Sequence, residues 1–354
     1  MKVSIIIPFH NEKSSLPRCL DSVLAQTHRS IEVLLVDGRS TDGSGEMADA
    51  YAARDPRIKV IHQDGKKGIA AGRNAGLAAA SGRFVQFVDA DDRIPPDMTE
   101  ALVRAAVPDC DMVACGYRDV ATDGTERRKN RLEVSGTIDA GEFAVRCVPM
   151  DMRWLTVVGA VWCKLYRMEI IRGNGLWFDG GIRSEDLLFS MQYFRHCRNV
   201  SAVPEAHYAY VSGDTPEEIT SANKYYTDNV HSMLRVGGAF ESAFSNRLSP
   251  ADRKRCSAYF AGMLVATTIG LCRRDATIPR SEILERMAEV MGSPEARRWF
   301  GSYRAAAGQS RVVPFFLGRG WILPAFIAAR LRADSRYQRY FDPATTRRGT
   351  ALFS

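Results

Sequence analysis

The sequence has eight cysteines but no pair at C-x-x-C spacing, and none of its six histidines stands at zinc-finger distance from them. A structural zinc site is therefore not expected. Cys19, Cys110, Cys115, Cys147, Cys163, Cys197, Cys256 and Cys272 read as reduced, mostly buried thiols of a cytoplasmic chain. Long apolar runs are also missing. The opening run Val3–Ile7 stops at Pro8 and is too short for the core of a signal peptide, so it reads as a buried strand. The most apolar late stretch, Val312–Ala329, is broken by Arg319 and Pro324, whereas a spanning helix needs about 20 mainly apolar residues. No internal repeat or low-complexity segment occurs, and there is no G-x-G-x-x-G turn after the first strand, which removes the dinucleotide fingerprint. The place where a nucleotidyltransferase carries a basic, glycine-rich phosphate loop holds His10-Asn11-Glu12 instead.

What is present is an ordinary globular composition: 45% hydrophobic and 25% charged residues over 354 positions. The net charge of +7 is unevenly placed. From Tyr303 onward there are nine arginines and two aspartates, so this last part carries the whole excess. Such asymmetry suits contact with anionic lipid, an anionic substrate or another subunit. The tail has no recognised base-reading motif, so nucleic acid is not expected as a partner.

Short apolar runs alternate with amphipathic ones over the first 120 positions. Strands are expected at Val3–Pro8, Ile31–Asp37, Ile58–His62, Phe84–Asp89 and Met112–Cys115, and helices near Leu16–Gln26, Gly43–Ala53, Ile69–Ala80 and Pro96–Ala106. Alternation of this kind, with continuous Val/Ile/Leu strands, predicts a parallel sheet covered on both faces, with ligands outside the carboxyl ends of its strands. Arg118–Ser135 reads as a hairpin or surface excursion. Asp139–Cys147 and Ser184–His196 read as helices, and Trp154–Arg167 should pack back on the sheet. Helices near Asn229–Phe244, Pro250–Leu271, Ser281–Met291 and Gly318–Arg332 make the second half a helical appendage. Within it, Phe315, Phe316, Leu317, Trp321, Ile322, Leu323, Phe326 and Ile327 are expected to pack on the catalytic domain, with an arginine-flanked interfacial helix as the other reading.

The strongest chemical signal is Phe87-Val88-Asp89-Ala90-Asp91-Asp92. Three carboxylates follow directly on a buried strand. Like charges so close raise each other's pKa, and a divalent cation such as Mg²⁺ or Mn²⁺, which takes oxygen ligands, relieves the conflict. The bland reading, an acidic turn capping the next helix, would prevail for an isolated Asp-x-Asp. A second signal, Val36–Ser44, also follows a strand: Asp37 would accept hydrogen bonds from a base or ribose, and the helix start beyond it is an anion site. The third, Gly68–Gly76, is a small-residue helix whose Arg73 would reach phosphate oxygens or a base; such helices more often mean close packing.

In this order the segments resemble the inverting family 2 glycosyltransferases of the GT-A fold. Ile7-Pro8-Phe9-His10-Asn11-Glu12 is similar to the family's opening strand with its Pro and Tyr-Asn-Glu. Val36–Asp42 matches its Val-Asp-Asp-Gly-Ser-Thr-Asp segment, Ala71–Gly76 its Ala-Arg-Asn-x-Gly, and Gly82–Asp92 its Asp-x-Asp-Asp block. Trp162–Arg167 resembles the Asn-Lys-Leu-Tyr segment, and Glu185-Asp186 the Glu-Asp at a helix start. The resemblance implies an α/β GT-A fold with a mixed, mostly parallel sheet over residues 1–222 and a helical region with a basic tail over 223–354. It implies a donor pocket of Pro8, His10, Asn11, Glu12, Asp37, Arg73, Asp89 and Asp91. Asp91 and Asp92 would hold Mn²⁺ or Mg²⁺, and Asp186 would be the general base. The expected reaction is transfer of a sugar, with inversion, from a nucleoside-diphosphate sugar to a hydroxyl. The acceptor would be a glycan or lipid-linked intermediate of surface polysaccharide or glycolipid synthesis. The chain would sit in the cytoplasm, at times on the inner face of the membrane through its arginine-rich tail.

Two residues depart from the family pattern. Gly38 replaces the second Asp of the usual pair, and His10 replaces the Tyr that stacks on the base. Both lie in the base pocket and leave the metal and base-catalyst positions intact. A non-catalytic binding or scaffold protein that keeps the fold is the alternative; retention of Asp89, Asp91, Asp92 and Asp186 speaks against it.

Overall fold

Seven consecutive buried residues, Val3–Phe9, form β1 at the centre of a sheet. Apart from Ser4 they are apolar on both pleat directions, as in a parallel strand covered on both faces. A computed structural model describes residues 1–65, 68–147, 158–182, 184–212, 230–272, 278–303 and 310–336 of the chain. The chain divides into two compact units, Met1–Gly181 with Glu185–Thr215, and Ile182–Ser184 with Pro216–Ser354.

In the first unit β1 pairs in parallel with β2 (Ile31–Asp37) and β4 (Phe84–Phe87), and β2 pairs in parallel with β3 (Ile58–His62). Helices α1 (Leu16–Leu24), α2 (Ser44–Ala52) and α3 (Gly68–Ala79) connect these strands. Beyond β4 the sheet changes character. The strands β8 (Lys164–Arg167), β5 (Met112–Val120), β9 (Asn199–Val211) and β7 (Gly136–Asp139) follow in that spatial order, with β6 (Glu126–Asn130) paired to β5. Here β4–β8, β8–β5, β5–β6 and β9–β7 are antiparallel, and only β5–β9 is parallel. The sheet is mixed, its first half parallel as the alternating pattern requires and its second half closed by antiparallel returns.

The remaining helices of this unit are α4 (Met98–Ala105), α5 (Ala140–Arg146), α6 (Met168–Gly173) and α7 (Glu185–Phe194). Asp139 caps α5 by accepting from the Gly141 and Glu142 amides. Against the parallel strands, α3 lies unusually close: a Cβ on Gly72 would stand 2.9 Å from Pro8 Cβ, and one on Gly76 2.4 Å from Ile6 Cγ2. The small-residue run therefore works as a close-packing surface that brings the start of α3 to the strand ends.

The second unit is helical: α8 (Val230–Phe244), α9 (Pro250–Leu271), α10 (Arg280–Gly292), α11 (Pro294–Ser302), α12 (Val312–Leu317) and α13 (Ile322–Arg336). Ser249 and Ser293 cap α9 and α11. Trp299 is fully buried against Phe260, at 5.1 Å between ring centroids, and its Nε1 donates to Glu241 at 2.6 Å. Gly237 makes room for it, since a Cβ there would stand 2.2 Å from the indole. The expectation that the late apolar residues all pack is not met. Leu317 and Phe326 are buried, whereas Phe315, Trp321, Leu323 and Ile327 are exposed. Among the described residues no helix is long and apolar enough to cross a membrane. Trp154 and the basic tail beyond residue 336 lie outside the described residues.

Candidate active site

The carboxyl ends of β1, β2 and β3 fall in one row, with Phe9 opposite Asp37 and Asp37 opposite His62. The two following loops are stitched together. Asn11, at a left-handed φ of 59°, donates its amide to Ser40 Oγ at 3.0 Å and accepts from the Thr41 amide at 2.8 Å. The Lys13 amide donates to Asp42 at 2.9 Å, and the Gly38 amide to the Phe9 carbonyl at 2.8 Å. Glu12 accepts from the Ser15 hydroxyl at 2.5 Å. These bonds tie the two loops into one rim at the strand ends, so the side chains of Asn11 and Glu12 serve the loop itself.

Asp37 is buried. One oxygen accepts from the Ser40 amide and hydroxyl at 2.9 and 2.7 Å, and the other meets His62 Nδ1 at 3.0 Å. Burial opposes its charge, yet the bonds from Ser40 and His62 outweigh it and hold the carboxyl below the ordinary range. His62, the last residue of β3, also reaches Asp49 at 3.1 Å, and its two carboxylate partners raise its pKa. Gly45 is needed here: a Cβ would stand 3.0 Å from Asp37 Oδ2. Gly38 has little room for the missing carboxylate, because a Cβ there would meet the Phe9 carbonyl at 3.2 Å and His10 Cβ at 3.3 Å.

β4 ends at Phe87, and the chain leaves the ladder through Val88 into the acidic turn. The three carboxylates do three different things. Asp92 is fully buried; its oxygens accept from the Tyr208 hydroxyl at 2.5 Å and the Val211 amide at 2.7 Å. Tyr208 in turn accepts from the Asp89 amide at 3.2 Å. Arg93 and Ala209 exchange backbone bonds at 3.3 and 3.0 Å, so the turn is clipped to the end of β9. Burial and the neighbouring Asp91 and Asp89 push the Asp92 carboxyl up against those two bonds. Asp89 accepts from Arg73 at 3.0 Å. Asp91 has no side-chain hydrogen bond among the described residues. Loss of solvation within the cleft, with repulsion from Asp89 and Glu12, pushes it up to about 6 although its side chain opens to solvent.

Arg73 joins this turn to α7. It is 3% exposed, donates to Glu185 at 2.7 Å and to Asp89 at 3.0 Å, and lies 5.3 Å from the centroid of Phe178. Asn74, the next residue, holds the Phe178 backbone through two bonds of 2.8 Å. Arg73 is thus an internal bridge, not a side chain free to swing toward phosphate. Asp186 begins α7 beside this bridge, half-buried, its Oδ1 accepting from the Leu187 amide at 2.7 Å. Burial pushes its carboxyl up, opposed by Arg73, and Glu185 is raised by burial and by Asp186. A raised carboxylate at a half-open helix start is suited to taking a proton.

His10 Nδ1 and Arg73 Nε are buried without a hydrogen-bond partner among the described residues. Pro8 is buried under α3. The sequence places His207–Tyr210 at a strand end on the acceptor side, but not the stacking found there. Trp162 stacks on Tyr208 at 4.5 Å and on Tyr210 at 5.7 Å, leaving Tyr210 half-exposed near the acidic turn. The i, i+2 spacing of Tyr208 and Tyr210 was the available signal, since it puts both on one face of a strand. No group of three or more His, Cys, Asp or Glu able to hold a cation is gathered among the described residues.

The profile of the family described as "Glycosyl transferase family 2" matches residues 4–172, and the "Cholesterol galactosyltransferase" of Borreliella burgdorferi is 32% identical over 249 residues, 68% of this chain and 69% of that protein. The chain belongs to glycosyltransferase family 2. Another relative of this family 2 chain is the "Uncharacterized glycosyltransferase EpsJ" of Bacillus subtilis, 34% identical over 220 residues and 62% of each chain. Across three such relatives the chain spans 60–62% of their length. Among solved structures, S. aureus TarS 1–349 in complex with UDP-GlcNAc superposes with a TM-score of 0.70 at 19% identity, covering 96% of this chain and 92% of that one. The mannosyltransferase PcManGT of Pyrobaculum calidifontis, in complex with GDP-Man and Mn²⁺, gives 0.51 at 16%, covering 95% and 86%. These likenesses establish the GT-A fold of this family 2 member.

Proposed function

We propose that the chain transfers a sugar, with inversion, from a nucleoside-diphosphate sugar to an acceptor hydroxyl, using Mg²⁺ or Mn²⁺. The observation that carries the reading is the Arg73 bridge, which brings the acidic turn and the start of α7 together although Arg73 and Glu185 are 112 positions apart. The stitched rim of Phe9–Lys13 and Asp37–Ser44 would hold the nucleoside, with the unpartnered His10 Nδ1 available to the base. Asp91 and the second oxygen of Asp89 suit a cation that takes one or two protein carboxylates and completes its shell with phosphate and water. Asp92 shapes the turn from beneath. The cation would neutralise charge growing on the departing diphosphate. Asp186 would take the proton of the attacking hydroxyl, and the Arg73 charge favours its ionised form against the effect of burial.

The acceptor would be a glycan or a lipid-linked intermediate in surface polysaccharide or glycolipid synthesis. Support for a lipid acceptor comes from the Borreliella relative, a cholesterol galactosyltransferase by name, and for a UDP donor from the UDP-GlcNAc bound by TarS. The crowding around Gly38 leaves base recognition to His10 and the backbone. The test is a thermal-shift panel of UDP, GDP, CDP, dTDP and ADP with Mn²⁺, Mg²⁺ or EDTA. One nucleotide should raise the midpoint only with metal; no shift with any pair would point to the non-catalytic alternative.

A further inference from the structure

We infer that α12 and α13 present a docking face for an anionic lipid surface. Of the large apolar side chains exposed on the described residues, Val312, Phe315, Trp321, Leu323, Ile327 and Leu331 fall within one short stretch, each between 46% and 69% exposed. Leu323, Ile327 and Leu331 recur at i, i+4 and i+8, which makes them a continuous stripe on α13. Helix α13 has a second apolar side, Ala325, Phe326 and Ala329, and that one is buried. A helix apolar on both sides, with only one covered, leaves the other for a partner.

The turn between the helices is built tightly. The Gly320 amide donates to the Leu317 carbonyl at 3.1 Å and the Trp321 amide to the Phe316 carbonyl at 3.0 Å, with Gly320 at a φ of 74°. Trp321 stacks on Phe316 at 5.9 Å and touches Phe315 edge-on at 6.4 Å, so the aromatic end of the face is held in place. The Arg319 guanidinium sits 3.7 Å from the Phe315 centroid.

Charge selects the partner. From Ser310 to Ala333 there are four arginines, Arg311, Arg319, Arg330 and Arg332, and no acidic residue. Apolar and aromatic groups edged by arginines match the two layers of a bilayer surface: acyl chains below, anionic headgroups above. A second copy fits less well, because a twofold contact would set this positive face against itself. This inference deepens the proposed lipid-linked acceptor but stands on separate residues, since none of those proposed to hold the donor lies on α12 or α13.

The test is flotation of the full chain with vesicles of phosphatidylcholine alone and of phosphatidylcholine mixed with phosphatidylglycerol. The wild type should float with the anionic vesicles and lose that binding as salt rises. The triple variant L323Q/I327Q/L331Q changes only solvent-exposed side chains, so its melting should match the wild type, while its partition falls roughly tenfold or more. The inference is overturned if the wild type stays with the pellet in both mixtures, or if the triple variant floats equally well. It is also overturned if light scattering shows a wild-type dimer that the triple variant dissolves, which would assign the face to a second copy. Nucleotide-dependent thermal shifts on the same samples report the donor site separately.

Discussion

Replacing Asp91 with Asn should stabilise the metal-free protein while abolishing its response to metal and nucleotide. The Asp91 carboxyl rises from an ordinary 3.8 to about 6 through lost solvation and repulsion from Asp89 and Glu12. In full this corresponds to a penalty of about 3 kcal/mol on the charged form. The side chain is open to solvent, however, so screening reduces the figure to about 1 kcal/mol. A raised carboxyl binds its proton more tightly in the folded state. The penalty is therefore absent below the unfolded value, grows as pH rises toward about 6, and is complete above it.

The assay is melting in EDTA across this pH range. Asp91→Asn should match the wild type near the acid end and melt about 3 °C higher at about pH 7. With Mn²⁺ and the preferred nucleotide at a hundredfold excess over Kd, the wild type should gain about 2.7 kcal/mol and the variant almost nothing. A variant less stable than the wild type at neutral pH, or a difference that does not change with pH, would refute the argument that like charge at Asp91 is stored for a cation.

Tyr208→Phe leaves Asp92 Oδ2 without its donor and the Asp89 amide without its acceptor, so urea unfolding should show a loss of about 2 kcal/mol; a loss below about 0.5 would mean that the clip to β9 is dispensable. Gly76→Ala places a Cβ 2.4 Å from Ile6 Cγ2 and should cost about 1–3 kcal/mol, whereas Gly238→Ala in α8, with nothing within 4 Å, should be neutral or stabilising. His62 has a raised pKa, so its tie to Asp37 supports stability below its ordinary value of 6.5 and fades as pH rises through the folded value. His62→Gln should lack that alkaline loss, and identical pH–melting curves for the two proteins would count against it.

The parallel half of the sheet could be read from the chain because β1, β2 and β3 are local runs of Val, Ile and Leu bounded by Pro, Asp or His. β5 runs past its apolar segment Met112–Cys115 to Val120 because β9 pairs beside it, and that support comes from residues far along the chain. The antiparallel returns depend likewise on pairings between distant segments. At the site, the acidic turn, Asp37 and Glu185-Asp186 stood out by type and order. Their employment did not. That Arg73 spends its guanidinium on Asp89 and Glu185, and Asp92 both oxygens on Tyr208 and Val211, depends on tertiary contacts that no local pattern encodes. The small-residue run of α3 carried two readings, and the clash distances to Pro8 and Ile6 support close packing.

The most direct test of the account is release of nucleoside diphosphate from a set of nucleotide sugars with Mn²⁺, measured for the wild type, Asp91→Asn and Asp186→Asn alongside nucleotide binding. The account predicts release by the wild type, loss of both binding and release in Asp91→Asn, and normal binding with release reduced roughly 10²–10⁴-fold in Asp186→Asn. Near-normal release by Asp186→Asn would contradict it.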